Sequence, residues 1–236
     1  GSLLCREETK WGFGAKVDGQ IKHENVNYDQ RSQRGFSVAD ATVGDGLTWT
    51  YLRVRGMQRA GALTRALEVA FDRGMLDQRA LYVVNAGLWH LLCTTNINEC
   101  LETYENDVEK FLKVLTARAD GPIVWRYTTA VHPSLFPRRM SPVDQRKFRS
   151  FTDENVRKLN KVADTVIRRD LKNKVTVRRD AYNFTVNLED EAYLRGDARH
   201  PASGALKSLV SLLFVEDACD YGRLTRGLVG RWWQDW

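Results

Sequence analysis

Residues 80–90 read ALYVVNAGLWH, in which a short apolar run is followed at once by a polar, glycine-containing turn. A run such as Ala80–Val84, apolar on both faces, is typical of a strand buried inside a parallel sheet. Asn85 and Gly87 follow where that strand would end. In parallel α/β sheets, ligands bind beyond the carboxyl ends of the strands. The stretch therefore predicts both a buried strand and a candidate site directly after it.

Strand-like and helix-like segments alternate on both sides of this stretch. Strands are expected where β-branched and aromatic residues cluster, and helices where apolar residues recur at helical spacing. The predicted strands are Leu47–Val54, Ala80–Val84, Ile123–Thr129 and Val175–Arg178, and the predicted helices are Ala62–Arg73, Leu101–Ala119, Asp153–Leu171 and Ala202–Val215, with a further helix start at Ser141. Such alternation implies βαβ units with right-handed crossovers. We therefore predict an α/β fold, a three-layer α/β/α sandwich around a parallel sheet, as a single domain over residues 1–236.

The chain has 236 residues, of which 43% are hydrophobic and 28% charged, and its formal net charge is +6. It contains no apolar run of the roughly 18 residues that a membrane span needs, so no span is predicted. The basic pairs Arg138-Arg139, Arg168-Arg169 and Arg178-Arg179 fit either a solvated surface or an anionic partner. Nucleic acid would enter only indirectly, through a larger assembly.

Four cysteines, at positions 5, 93, 100 and 219, form no C-x-x-C pair, so neither a zinc site nor a thioredoxin-type site is expected. Cys93 and Cys100 are close enough in sequence to bridge a short loop. Residues 183–185 (NFT) match the acceptor sequence for N-glycosylation, which has meaning only in a secreted protein.

Asp197 and His200 stand three residues apart in GDARHP, before the last predicted helix. One interpretation is that they are loop polars at a helix start. The other is a hydrolase base, His200, whose tautomer Asp197 fixes.

Asn85 also has two interpretations. Its amide can donate to a developing oxyanion, while Gly87 lets the backbone approach a ligand. Alternatively, Asn85 only ends the strand and Trp89 packs in the core. His132 follows a strand too, and is either a cleft residue or a loop histidine beside Pro133.

Three stretches together resemble the SGNH/GDSL hydrolase superfamily, and within it the PC-esterase branch. VVNAGLWH resembles the block of an apolar strand followed by Asn-x-Gly, and DARHP resembles the D-x-x-H block. KHENVNYD (22–29), followed by the LTWTYLR strand, is similar to a region of the sialate O-acetyltransferase luminal domain. The branch also includes plant polysaccharide O-acetyltransferases. The resemblance covers roughly residues 20–215.

This resemblance implies a flavodoxin-like sheet and a serine esterase or O-acetyltransferase that acts on a carbohydrate or another acyl ester. Ser2 would be the nucleophile, His200 the base and Asp197 its orienting acid, with Asn85 and Gly87 at the oxyanion. It implies no metal and no cofactor, although a transferase would need an acetyl donor such as acetyl-CoA. If the family role is kept, the location would be the Golgi or ER lumen; otherwise it would be an intracellular or organellar assembly.

The N-terminal end of the sequence departs from the family's nucleophile block. Residues 1–6 (GSLLCR) resemble the Gly-Asp-Ser block without its Asp, and nothing precedes them to form the first, central strand. Each buried backbone group left unpaired costs about 1–3 kcal/mol. Therefore the sequence is part of a longer chain, another polypeptide supplies the strand, or the sheet has rearranged and catalysis is lost.

Residues 221–236 are predicted to form a tryptophan-rich tail. Trp232, Trp233 and Trp236 either dock onto a protein partner or fold back onto their own domain. With the missing Asp and the basic excess, this tail motivates a second hypothesis. In it the chain is a catalytically inactive SGNH-fold subunit of a larger assembly, which could contain RNA.

Overall fold

A computed structural model describes residues 22–29, 34–43, 47–55, 61–92, 96–135, 146, 148–189 and 230–232. The strands are β1 (Lys22–Asp29), β2 (Arg34–Val43), β3 (Leu47–Arg55), β4 (Leu81–Val84), β5 (Ile123–Arg126), β6 (Val175–Arg178) and β7 (Gly230–Trp232). The α-helices are α1 (Ala62–Asp72), α2 (Ile97–Arg118), α3 (Asp153–Asp170) and α4 (Asp180–Val186), and two 3₁₀ turns span Leu88–Leu91 and Pro133–Leu135.

The described strands form one seven-stranded sheet in the order β1-β2-β3-β7-β4-β5-β6. From β3 to β6 all neighbours are parallel, and the register aligns Tyr82 with Ile123 and Ile123 with Val175. The predicted α/β class and parallel sheet are therefore confirmed. The antiparallel meander of β1, β2 and β3 at one edge was not predicted. The meander makes the sheet mixed, a common variation in α/β folds.

The place between β3 and β4 is filled by β7, from the C-terminal segment. Gly230 pairs with Leu81, and Trp232 pairs with both Val83 and Tyr51. In the described sheet, the central strand is thus supplied by the chain's own C-terminal segment, a source that the sequence alone did not suggest. For Gly230–Trp232, folding back onto the domain is the interpretation that holds, whereas Trp233 and Trp236 lie outside the described residues.

Helices α1, α2 and α3 form one layer on one face of the sheet. The crossovers from β3 to β4, β4 to β5 and β5 to β6 all step in the same direction, so right-handed connections place their helices together. Accordingly α2 contacts both α1 and α3. Tyr82, Val84 and Trp125 join this core, while Leu81 and Val83 are buried on the opposite face. The helix expected to cover that face, Ala202–Val215, lies outside the described residues, so the third layer stays a prediction.

Capping residues set the helix starts. The Asn96 side chain accepts a hydrogen bond from the Glu99 backbone N (3.1 Å), which starts α2 four residues before the predicted Leu101. Thr152 caps α3 through the Asn155 backbone N (3.2 Å), and α3 begins at Asp153 as predicted. The predicted helix start at Ser141 lies outside the described residues.

Three arginines of the described basic pairs, Arg168, Arg169 and Arg179, have carboxylate partners. Arg168 and Arg179 both contact Asp164, at 2.9 and 3.0 Å, and Arg169 bridges to Glu105 and Glu109, both at 3.2 Å. Because these guanidinium groups are exposed and already paired, they favour a solvated surface over an anion-binding patch. No helix within the described ranges is long and apolar enough to cross a membrane.

Candidate functional site

The carboxyl ends of the parallel strands bring three polar segments to one edge of the sheet. Asn85 follows β4, Tyr127 follows β5 and Arg179 follows β6. In register, Val84 pairs with Trp125, so Asn85 lies one residue beyond the last β4–β5 pair. The three segments therefore lie at the same edge of the sheet, the edge that the sequence predicts for a site.

The Asn85 amide ties the ends of β4 and β5 together. Its Nδ2 donates to the carbonyl oxygens of Arg126 (3.2 Å) and Tyr127 (3.1 Å). Carbonyl oxygens only accept, so this network also fixes which way the amide points. Both amide hydrogens are thereby used within the protein. Donation to an oxyanion stays a prediction, and it requires at least one of these bonds to be released.

The loop after Asn85 is held by the neighbouring elements. The Ala86 carbonyl accepts from the Tyr104 hydroxyl (2.8 Å) and from Thr128 Oγ1 (3.3 Å). Gly87 has φ +148°, and a Cβ there would lie 3.0 Å from Thr128 Oγ1 and 3.2 Å from the Tyr104 hydroxyl. At Gly87, the close approach that favours a glycine is thus to Tyr104 and Thr128.

A buried His–Asp pair, which is not among the residues predicted from the sequence, lies on the helix side of this loop. His90 Nε2 is 3.3 Å from Asp107 Oδ2, and both side chains are almost fully buried. Asp107 Oδ1 accepts from the backbone N of Gly61 (2.8 Å), which precedes α1. The pair links three elements: the 3₁₀ turn after β4, α2 and the start of α1.

Asp107 could have been found in the sequence. Tyr104, Asp107, Val108 and Phe111 follow the i, i+3, i+4, i+7 spacing of a buried helix face. A carboxylate at such a position needs a buried partner. The partner itself could not be read from the sequence, because His90 lies 17 residues away in a non-helical turn.

Two polar side chains hold the segment that follows β5. Asn160 accepts from the Thr128 backbone N (2.9 Å) and donates to the Thr128 carbonyl (3.0 Å), so its amide pairs with the chain as a neighbouring strand would. Thr185 Oγ1 accepts from the Ala130 backbone N (2.9 Å). His132 is only partly buried, with Nε2 3.4 Å from the Thr185 carbonyl. The His132 ring therefore lies against α4.

On the face opposite α1–α3, a buried cation stands at the end of β5. The Arg126 side chain has no exposed surface, and its Nη1 is 2.7 Å from Asp180 Oδ1, at the start of α4. Beside it, the Arg179 guanidinium lies 5.4 Å from the centre of the Tyr127 ring. Burial raises the pKa of the Tyr127 hydroxyl above its usual value.

The structure describes two of the five site residues that the sequence predicts. Asn85 and Gly87 lie together at the carboxyl edge, while Ser2, Asp197 and His200 lie outside the described residues. Within the described ranges, no group of three or more His, Cys, Asp or Glu side chains is arranged to hold a metal ion.

Comparison with known proteins adds no assignment: no protein-family model, no curated protein and no solved structure matches this chain.

Proposed function

We propose that this protein is an SGNH-type O-acyl esterase or O-acetyltransferase that acts on a carbohydrate through a Ser-His-Asp mechanism. Ser2 attacks the ester carbonyl, His200 takes the serine proton, and Asp197 holds the imidazole in the required tautomer. Asn85 and the backbone near Gly87 face the tetrahedral oxyanion. An acceptor hydroxyl or water then releases the acyl group, and a transferase would draw that group from a donor such as acetyl-CoA.

One observation carries the proposal: Asn85 stands directly after the strand that flanks the central place of the sheet. In the family that the sequence resembles, the nucleophile follows the strand in that central place. Parallel strands end at a common edge, so a nucleophile carried at that edge would lie near the residue after β4. The bonds to Arg126 and Tyr127 hold the Asn85 side chain at this edge, and donation to an oxyanion requires one of them to be released.

Two observations favour a second candidate, an inactive SGNH-fold subunit of a larger assembly. Both hydrogens of the Asn85 amide are used by backbone carbonyls. In addition, the central strand is β7, which is followed by Trp233 and not by Ser2. An inactive descendant needs neither a free oxyanion donor nor a nucleophile at the end of the central strand.

Labelling with a fluorophosphonate separates the two candidates, because the reagent reacts only with an activated serine. We expect labelling of the wild-type chain and its loss in Ser2→Ala and His200→Ala. His132→Ala is the matched control: it removes another edge histidine, one outside the proposed triad, and should still be labelled. Asn85→Ala should slow acetyl-ester hydrolysis by about 10²–10³-fold, the usual effect of losing one oxyanion donor.

Folded wild-type protein that is neither labelled nor faster on an acetyl ester than His200→Ala would refute the esterase proposal. The inactive-subunit interpretation would then stand, and co-purification would identify the assembly.

A further inference from the structure

The NFT sequence at residues 183–185 is the only Asn-x-Ser/Thr match in the chain, and the proposed function does not use it. Asn183 lies on α4 and is exposed. Its backbone carbonyl accepts from Asn187 Nδ2 (2.7 Å), while its side-chain amide has no hydrogen-bond partner among the residues that the structure describes. The nitrogen that a glycan would modify is therefore accessible.

The helix geometry leaves room for a large group at this position. Ala181 and Thr185 are buried and lie four residues apart, so they share the packed face of α4. Asn183 is two residues from each, which at 3.6 residues per turn places it on the other side of the helix. A glycan on Asn183 would therefore extend into solvent without displacing the packed face.

The disulfide at Cys100 points independently to the compartment in which such glycans are added. Cys100 is disulfide-bonded. Disulfides form and persist in the ER lumen and in secreted proteins but are rare in reducing compartments. Asn-x-Thr sequences gain N-glycans along the same route. The disulfide and the acceptor sequence thus fit the same environment.

We propose that this protein passes through an oxidising secretory compartment and carries an N-linked glycan on Asn183. In the modification, Asn183 Nδ2 forms a bond to the anomeric carbon of an oligosaccharide carried on a lipid pyrophosphate. The bond from that carbon to the phosphate oxygen breaks, the lipid pyrophosphate leaves, and the amide loses one proton. This proposal does not depend on esterase activity.

The structure also sets the order of events. The hydroxyl of Thr185, which the acceptor sequence requires, is buried, accepts from the Ala130 backbone N and donates to the Ala181 carbonyl (2.7 Å). Once α4 has packed, that hydroxyl is no longer accessible to a transferase. The glycan is therefore added before this part of the chain folds.

The test is expression of the full 236-residue chain behind a cleavable secretory leader in animal cells, followed by peptide-N-glycosidase treatment and mass spectrometry. We expect the wild-type chain to lose the mass of one glycan on treatment. Asn183→Gln should lose the glycan, whereas Asn187→Gln, an exposed amide on the next turn outside the acceptor sequence, should keep it. Thr185→Ser, which preserves the hydroxyl, should also keep it.

A secreted, folded wild-type chain without a glycan would overturn the proposal, as would a glycan that persists in Asn183→Gln. A second measurement tests the order of events. Folded, unglycosylated protein offered to purified oligosaccharyltransferase should remain unmodified, while the same chain reduced and unfolded should be modified at Asn183. Efficient modification of the folded protein would contradict the proposed order, and a native protein that lacks the glycan in its own cells would refute its natural occurrence.

Discussion

Asp107 shows how one side chain can join three elements. Its two carboxylate oxygens bond to the His90 ring and to the Gly61 backbone N, both in the interior beside the candidate site. The His90 ring also stands edge-on to Tyr104, with centroids 4.9 Å apart. Tyr104 in turn donates to the Ala86 carbonyl, so the buried pair helps to hold the loop that carries Asn85.

Asp107→Asn should lower the free energy of unfolding by about 1–3 kcal/mol, the usual cost of leaving a buried hydrogen-bonding group without its partner. The amide retains an acceptor for Gly61 N, but it can bond to His90 Nε2 only as a donor, which would place the imidazole proton on Nδ1, a buried atom without a hydrogen-bond partner in the described part of the chain. Asp72→Asn is the control, because Asp72 is exposed and pairs with Arg118 at the surface, and its effect should stay below about 1 kcal/mol. Urea denaturation measures both variants, and equal effects would contradict a special role for Asp107.

At the scale of elements, the turn after β4 is held by hydrogen bonds to its neighbours, as the strand before it is. Asn85 bonds to the end of β5, the Ala86 carbonyl to α2 and to Thr128, and Gly87 packs against both. Sequence pattern placed this turn correctly, because an apolar run that stops at Asn-x-Gly marks a strand end. From the sequence, Gly87 was expected to make room for a ligand. In the structure it makes room for Tyr104 and Thr128, and these tertiary contacts cannot be read from the sequence.

Gly87→Ala should destabilise the protein by about 3 kcal/mol, because it adds backbone strain at φ +148° and a contact at 3.0 Å with Thr128 Oγ1. Gly74→Ala is the matched control. Its φ is +67°, but nothing lies within 4 Å of the added Cβ, so only backbone strain of about 1 kcal/mol is expected. Thermal unfolding compares the two, and a larger loss in Gly74→Ala would show that the packing around Gly87 is not tight.

At the scale of the whole molecule, β7 alone joins the antiparallel meander to the parallel strands of the described sheet. It pairs with β4 over three residues and with β3 at one. Helix α1 makes the other link, since it contacts both β2 and β3. A segment more than 40 residues beyond the preceding described helix thus completes the centre of the sheet.

Arg231→Pro should open this junction, because proline cannot donate within a sheet ladder. The Tyr82 N–H donates to Pro122 on the β5 side, so the alternating N–H groups of Leu81 and Val83 point to β7. Hydrogen exchange resolved to single residues should therefore quicken at Leu81 and Val83 but not at Tyr82.

Arg231→Ala is the control for this experiment, since it leaves the backbone donor in place and should not change the exchange rates. Unchanged exchange at Leu81 and Val83 in the proline variant would mean that β7 does not pair with β4 in solution.

The sequence by itself determined the elements that local physics governs. Apolar periodicity and chain breakers located α1, α3, β4 and β6 to within a residue or two, and strand-helix alternation predicted the parallel sheet. Only the tertiary structure decided that the tail fills the central place, that Asp107 pairs with His90, and that the Asn85 amide bonds across to β5. Each of these contacts joins residues that are distant in sequence, and backbone pairing and buried hydrogen bonds leave no periodic signal of their partners in the chain.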